Sequence, residues 1–328
     1  MKTFKIISVI LVITMFTFTL TGCISVNELT QTDYSMGAVV TQTVTAIHES
    51  NSTQAMQKVI EEINKLDNLI SYRSKDSDIY KLNTQGFCEV DALVRRMFVI
   101  SKGLWENTDG MFDITILPLV RLWGFDGDKP ALPDKADIES TLKAVGLEHL
   151  NDDEGVFLLN DGSGVDLSAM GKGAACDVAV GIYKKYGIKS AVISVGGSVG
   201  VFGTKNGEPF LIGVRDPNDT SKIIGTLALS NKFVSTSGSY EKFFTDGDKL
   251  YHHIINPKTG YPTESGLISV SVICESGVAS DALSSACFAL GYADSLAVLK
   301  AYGAEAVFVT ADGSIIITDG LKSVWKAE

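Results

Sequence analysis

Histidine, proline and cysteine are scarce in this 328-residue chain, at four, seven and five residues. No Cys-x-x-Cys pair occurs and no cysteine stands at a metal-like spacing from histidine, which argues against zinc-finger and dithiol chemistry. Basic residues are in deficit: 28 Lys and Arg face 39 Asp and Glu, for a net charge of −11 and an isoelectric point near 4.9. Such a chain has no electrostatic footprint for nucleic acid. The G-x-x-x-x-G-K-[ST] spacing of a Walker phosphate loop is absent. No internal repeat or low-complexity linker marks a domain boundary. With 45% hydrophobic residues and a mean hydropathy of +0.18, the chain can bury a sizeable core and is not disordered.

One long apolar run is present, Ile6 to Leu20, behind a short basic region at Lys2 and Lys5. A spanning helix takes about 20 apolar residues, so a membrane anchor is the weaker alternative to an export signal. The run ends at Leu20-Thr21-Gly22-Cys23, which resembles a bacterial lipobox. Residues 1–22 then form a lipoprotein signal peptide, and Cys23 becomes the lipidated N-terminus on an exported, membrane-anchored protein. Loss of Lys2 and Lys5 takes the net charge from −11 to −13. Anionic lipid would repel that charge, so the acyl chains have to hold the protein at the membrane. Residues 23–33 read as a polar tether and 34–328 as the folded domain. Cys88, Cys176, Cys274 and Cys287 read as buried free thiols, although an exported protein could pair them.

The coarse pattern is α+β. Met56, Val59, Ile60, Ile63, Leu66 and Ile70 recur at helical spacing from Ser52 onward. Further helices are expected over Asp76–Asn83, Val90–Glu106, Lys135–Val145, Lys172–Tyr186, Ala279–Leu290 and Ala293–Tyr302. Strands are expected over Tyr34–Ile47, Ser190–Val195, Phe210–Val214, Gly225–Leu229, Lys232–Val234 and Leu267–Cys274. Ala304–Thr310 and Ser314–Thr318 form a last hairpin. Phe112–Phe125, rich in β-branched and aromatic residues but broken by Pro118, reads as a bent or edge strand. Gly155–Asn160 and Gly164–Leu167 read as a pair around Asp161-Gly162. Hairpin-linked strands interspersed with helices predict mixed, mostly antiparallel sheets rather than a doubly wound fold.

Four stretches carry chemistry. Ser235–Pro262 runs from Ser-Thr-Ser-Gly-Ser through an Asp246-Gly247-Asp248 hairpin to adjacent His252 and His253 on a strand expected to reach Ile255, then breaks at Asn256-Pro257. The others are Gly110–Thr115, Asp166–Asp177 and Ala279–Ser285. With Met36-Gly37-Ala38, they resemble in this order the ApbE family of FAD:protein FMN transferases, from about Tyr34 to the C-terminus. The resemblance implies an α+β, T-fold-like domain that holds the flavin nucleotide in a cleft.

By residue chemistry alone, Asp281 and Ser285 share a helix face as hard oxygen ligands, or Asp281 is a helix cap. The resemblance assigns both to Mg²⁺ together with Ala169, through its backbone. Where some members have a second acid, this chain has Val278. Lys172 between Gly171 and Gly173 is an exposed lysine or a phosphate contact, and the glycines allow close backbone approach to a ligand. The resemblance gives Lys172 and Asp166 to the nucleotide, and Met36, Tyr72, Met111, Phe112, Asp113 and Ile255 to FAD; on statistics alone the last six are core residues. Ala38, Ser198 and Asn256 depart from the usual pattern. His253, His252's opposite-facing neighbour, is the expected acid–base group, beside Lys172 and Asp281 as catalytic residues. The implied reaction is Mg²⁺-dependent transfer of FMN from FAD to a Ser or Thr of an acceptor subunit of a membrane redox complex, releasing AMP. The rivals are a Mg²⁺-dependent FAD pyrophosphatase and a non-enzymatic FAD-binding lipoprotein.

The address has a direct test. Cys23→Ala leaves the protein uncleaved or released, with its purified activity intact, as read by membrane fractionation and intact mass; a correctly processed variant that stays on the membrane contradicts the lipobox.

Overall fold

The computed structural model describes residues 27–46, 49–127 and 129–328, so Cys23 and the export signal lie outside the described residues. β1 (Asn27–Ser35) and β2 (Ala38–Ala46) form a hairpin across Met36-Gly37. Both turn residues are left-handed, at φ 54° and 69°, as a two-residue hairpin turn demands. Glycine takes that conformation freely and methionine does not, so Met36 is held there by its surroundings. Most of the segment read as tether therefore belongs to β1. Its polar residues hid a strand in which Thr30 and Thr32 stand opposite Thr43 and Thr41.

α1 (Glu49–Ile70) buries the expected Met56, Val59, Ile63, Leu66 and Ile70. α2 (Asp78–Gln85) is capped by Ser77 and α3 (Ala92–Asn107) by Asp91, with β3 (Phe87–Glu89) between them. α4 (Leu117–Leu122) corrects the bent-strand reading of Phe112–Phe125. Pro118 sits in the first turn of this helix, where its missing N–H is no loss. After α5 (Lys135–Thr141) come β4 (Leu150–Asp153) and β5 (Val156–Leu159). β5 pairs with β3 and β4, not with Gly164–Leu167. The hairpin turns at Glu154-Gly155, both with positive φ, and not at Asp161-Gly162.

α6 (Ser168–Lys185) starts four residues before the expected Lys172. Then follow β6 (Ala191–Val195), β7 (Ser198–Phe202), β8 (Phe210–Arg215), β9 (Ile223–Leu229) and β10 (Lys232–Gly238). β11 (Phe243–Asp246) and β12 (Lys249–His252) form the expected hairpin, but its second strand stops at His252, short of Ile255. β13 (Leu267–Cys274), α7 (Gly277–Leu290), α8 (Tyr292–Ala301), β14 (Glu305–Thr310), β15 (Ile315–Ile317) and β16 (Trp325–Ala327) complete the chain. β16 has no counterpart in the sequence reading.

The main sheet has eight strands, ordered β1-β2-β6-β7-β10-β13-β14-β15, each antiparallel to its neighbours. Period-two alternation splits its side chains between two cores. Phe233, Val272, Ala306 and Phe308 join the core shared with α1, α6 and α7. Val234, Ile273 and Val307 meet Leu227 and Leu229 of the β8-β9-β16 sheet on the other face. A third core of Trp123, Phe125, Ile138, Tyr251 and Ile255 joins α4 and α5 to the β11-β12 hairpin. The four cysteines among the described residues, Cys88, Cys176, Cys274 and Cys287, are buried and free. Among the described residues no helix is long and apolar enough to cross a membrane.

The helix layer turns on one crossing. A Cβ on Gly173 of α6 would fall on the Gly277 carbonyl of α7, and one on Gly277 would fall on the Gly173 carbonyl. These two backbones touch, so neither position tolerates a side chain. Gly171 would meet Ile70 and Met36 instead. Both Gly171 and Gly173 thus serve helix packing. Gly173→Ala is expected to destabilise the protein by about 3 kcal/mol, the upper end for overpacking against unyielding atoms. Gly181→Ala, in the same helix with nothing within 4 Å, should stabilise it by about 0.5–1 kcal/mol. Urea unfolding of both variants checks the pair; shifts of the same sign contradict the crossing.

Candidate active site

The α6–α7 contact places Asp281 against the first turns of α6. Its carboxylate is buried, accepts the Gly173 N–H at 2.9 Å on Oδ2 and the Ser198 hydroxyl at 3.2 Å on Oδ1. Lys172 Nζ stands 3.9 Å from Oδ1. Burial pushes the Asp281 pKa up, against the pull of Lys172, Gly173 and Ser198. Asp281 in turn raises the Lys172 ammonium, with Glu241 and Asp166 adding to it, so Lys172 stays charged despite its partial burial. In a regular helix the Gly173 N–H belongs to the Ala169 carbonyl. The carboxylate shares that proton.

The reciprocal contact was not visible in sequence. Asp177 of α6 accepts the N–H groups of Gly277 and Val278, both at 2.9 Å, and caps the start of α7. Ser276, the N-cap residue, adds its own side chain to Ala279 N. Asp281 is therefore one turn inside the helix and free of capping duty. Ser285, one turn further, is half-buried and bonded to Ser237 Oγ at 3.0 Å.

The two histidines divide as their order in the chain predicts. His252 is buried, edge-on to Phe288 of α7 at 5.4 Å. Its Nε2 donates to the Thr263 carbonyl at 3.0 Å and its Nδ1 accepts the Ile254 N–H at 3.3 Å. Both nitrogens are engaged. His253 is half-buried just beyond β12, and its Nδ1 lies 3.2 Å from the Lys242 carbonyl. A carbonyl only accepts, so Nδ1 carries the proton and Nε2 keeps its lone pair. Burial, with the charges of Lys242 and Lys172 nearby, lowers its pKa to about 4. At neutral pH His253 is a neutral ring with an available base.

The remaining expected contacts divide between cleft and interior. Tyr72 is half-buried, hydrogen-bonded by Arg73 at 2.9 Å, with the Arg73 and Arg121 guanidinium carbons 5.1 and 6.0 Å from its ring centre. Met36 and Met111 are half-exposed. Phe112 is buried in the main core and Ile255 in the aromatic core. Asp113 is engaged throughout by internal donors, Thr115 N at 2.7 Å, Thr115 Oγ1 at 2.6 Å and Trp105 Nε1 at 3.0 Å. Asp166 accepts Ser168 N at 2.8 Å at the start of α6, and burial raises its pKa. Glu241, absent from the sequence reading, leans over the Gly196-Gly197 turn, 3.4 Å from where a Gly197 Cβ would sit. Among the described residues no group of three or more His, Cys, Asp and Glu side chains forms a metal cluster. A hollow of about 420 Å³ between β1 and α1 shares none of these residues.

This arrangement can hold an anionic ligand at Lys172, a hard cation at the oxygens beside it, and accept a proton at His253. The chain resembles known proteins along nearly its whole folded part. It is 29% identical over 292 residues to the FAD:protein FMN transferase of Escherichia coli K12, covering 85% of this chain and 83% of that one. It is 28% identical over 289 residues to the protein of that name from Treponema pallidum, covering 81% and 80%. The crystal structure of the ApbE protein of Thermotoga maritima superposes with a TM-score of 0.84 at 30% identity, over 91% of this chain and 99% of that one. The apo flavinyl transferase ApbE of Pseudomonas stutzeri gives 0.81 at 26%, over 92% and 98%. The ApbE family profile matches residues 36–308, and the chain belongs to the ApbE family.

Proposed function

We propose that this protein transfers FMN from FAD to a Ser or Thr hydroxyl of an acceptor protein and releases AMP. The observation that supports this reading is the pairing of Asp281 with Lys172 and Gly173 at the α6–α7 crossing, in a member of a family whose relatives are named FAD:protein FMN transferase. The acceptor oxygen attacks the FMN-side phosphorus, a new P–O bond forms, and the bond to the AMP oxygen breaks. The hydroxyl proton passes to Nε2 of His253, the ring nitrogen left with a lone pair. Lys172, beside Asp281, is the cation assigned here to the charge that the departing AMP gains, and its raised pKa keeps it positive.

The Asp281 carboxylate, the Ser285 hydroxyl and the Ala169 carbonyl are all hard oxygen donors, a set that fits Mg²⁺ with waters and phosphate oxygens completing its shell. When bound, Mg²⁺ neutralises pyrophosphate charge. With Val278 in place of a second acid, Asp281 brings the one carboxylate to that donor set. The neutral Ser285 and Ala169 oxygens then demand a share of the cation's ligands from the substrate. The leader supports the location in this proposal: a lipid on Cys23 would hold the exported domain at a bacterial membrane, on its cell-surface or periplasmic side, within reach of flavin-carrying subunits of membrane redox complexes.

The test is incubation with FAD, Mg²⁺ and an acceptor domain, read as an FMN-sized mass gain. AMP release with no modified acceptor would make the protein a pyrophosphatase, and no release would make it a flavin-binding protein. His253→Ala should lower transfer about 10²-fold, with FAD affinity unchanged. The acid limb of kcat/KM should fall near pH 4 and not near the ordinary imidazole value of about 6.5. His252→Ala should act through stability, lowering the melting temperature while the folded fraction transfers FMN at a rate close to wild type. Equal losses of turnover in the two folded variants contradict the assignment of the base.

A further inference from the structure

The Ser-Thr-Ser-Gly-Ser run at 235–239 takes no part in the reaction above, yet it places hydroxyls where β10 packs on α7. Ser235 and Ser237 alternate on the strand and face the helix, whereas Thr236 bonds Ser271 on the neighbouring strand at 2.7 Å. Ser237 Oγ lies 2.8 Å from Ser284 Oγ and 3.0 Å from Ser285 Oγ. Ser284 Oγ also bonds the backbone carbonyl of Asp281 at 2.7 Å.

One proton per hydroxyl fixes the direction of this chain. A carbonyl only accepts, so Ser284 gives its proton to Asp281 O. Ser284 therefore accepts from Ser237, which engages the Ser237 proton. Ser237 in turn accepts from Ser285. The Ser285 proton points back toward Ser237, which leaves both of its lone pairs available to an outside ligand. A second chain runs the same way through buried residues: Ser280 to Ser235 at 2.7 Å, Ser235 to Ser198 at 3.0 Å, Ser198 to Asp281 Oδ1 at 3.2 Å. Its terminus is a carboxylate, which accepts and so sets that order too. Bonds linked head to tail in this manner polarise one another.

We infer that Ser237 is a positioning residue that, through Ser284, turns Ser285 into an oxygen acceptor able to serve a divalent cation and unable to donate to a phosphate. This rests on the metal reading of Asp281, Ser285 and Ala169 given above. The same serine without Ser237 rotates freely and can present its proton to the pyrophosphate, which is the wrong polarity for a ligand. Sequence spacing places Ser285 on the correct helix face; the hydroxyl chain gives it the correct end.

The experiment titrates Mn²⁺ into the FAD-loaded protein in the cold and reads free Mn²⁺ by electron paramagnetic resonance, with FAD affinity measured separately in chelator. Ser237→Ala should weaken Mn²⁺ about tenfold, the scale of losing a group that orients a metal ligand. Ser237→Thr, which keeps the hydroxyl and suits a strand, should restore binding to within about threefold of wild type. Ser284→Ala leaves Ser237 and Ser285 in place but removes the acceptor that orients them, and should weaken Mn²⁺ in the same direction. FAD affinity without metal should be equal in all four proteins. Wild-type binding in both alanine variants, or a loss that threonine does not rescue, overturns the positioning role. A wild-type protein that binds no Mn²⁺, or binds it as well after Asp281→Ala, overturns the metal reading itself and with it the inference.

Discussion

The backbone contact between Gly173 and Gly277 is the constraint on which the rest of the site depends. Two helices whose axes were separated by side chains could not put a carboxylate on one against an N–H of the other. Here Asp281 reaches Gly173 N, and Asp177 reaches back to Gly277 and Val278, so each helix supplies an acid to the other. A buried carboxylate without partners costs several kcal/mol. Hydrogen bonds to a charged group return about 1.5–3 kcal/mol each, and Asp281 has two of them with Lys172 close by. The charge is therefore tolerable in the interior, but with little surplus.

His253 depends on a separate device. The aromatic core of Trp123, Phe125, Tyr251 and Ile255 anchors the β11-β12 hairpin to α4 and α5, and Trp123 Nε1 donates to Gly260 O at 2.7 Å beyond the histidines. Against that support, the Lys242 carbonyl selects the Nδ1–H tautomer of His253, and the Thr263 carbonyl selects the opposite tautomer in His252. Two adjacent, chemically identical side chains thus hold opposite tautomers. The difference lies in which nitrogen each backbone carbonyl engages.

Much of this was legible in the chain. Helical spacing located α1 and α3, which each bury one face in the main core, and alternation located β13, whose two faces bury in different cores. Pro118 misled, since a proline that opens a helix carries the same letter as one that ends a strand. β1 was hidden by its threonines, which pair across an exposed ladder and not into a core. In the site, the roles given to Asp281, Ser285 and Lys172 came from the family resemblance, while the shared helix face of the first two and the glycines flanking the third were legible. The purpose of those glycines was not, because contact with Gly277 joins positions about a hundred residues apart. The serine chains were hidden for a like reason: Ser198 meets Ser235 through the register of β7 with β10, which no local pattern encodes.

The account stands on Asp281 being a buried acid that a cation takes over. The most direct measurement follows the carboxyl carbon of Asp281 by ¹³C NMR through a pH titration, with and without Mg²⁺ in the presence of FAD. Without metal, burial should place its titration above the ordinary aspartate range. On addition of Mg²⁺ the resonance should shift and its titration should move well below that position. A carboxyl signal that titrates as an ordinary surface aspartate and ignores Mg²⁺ would contradict the account.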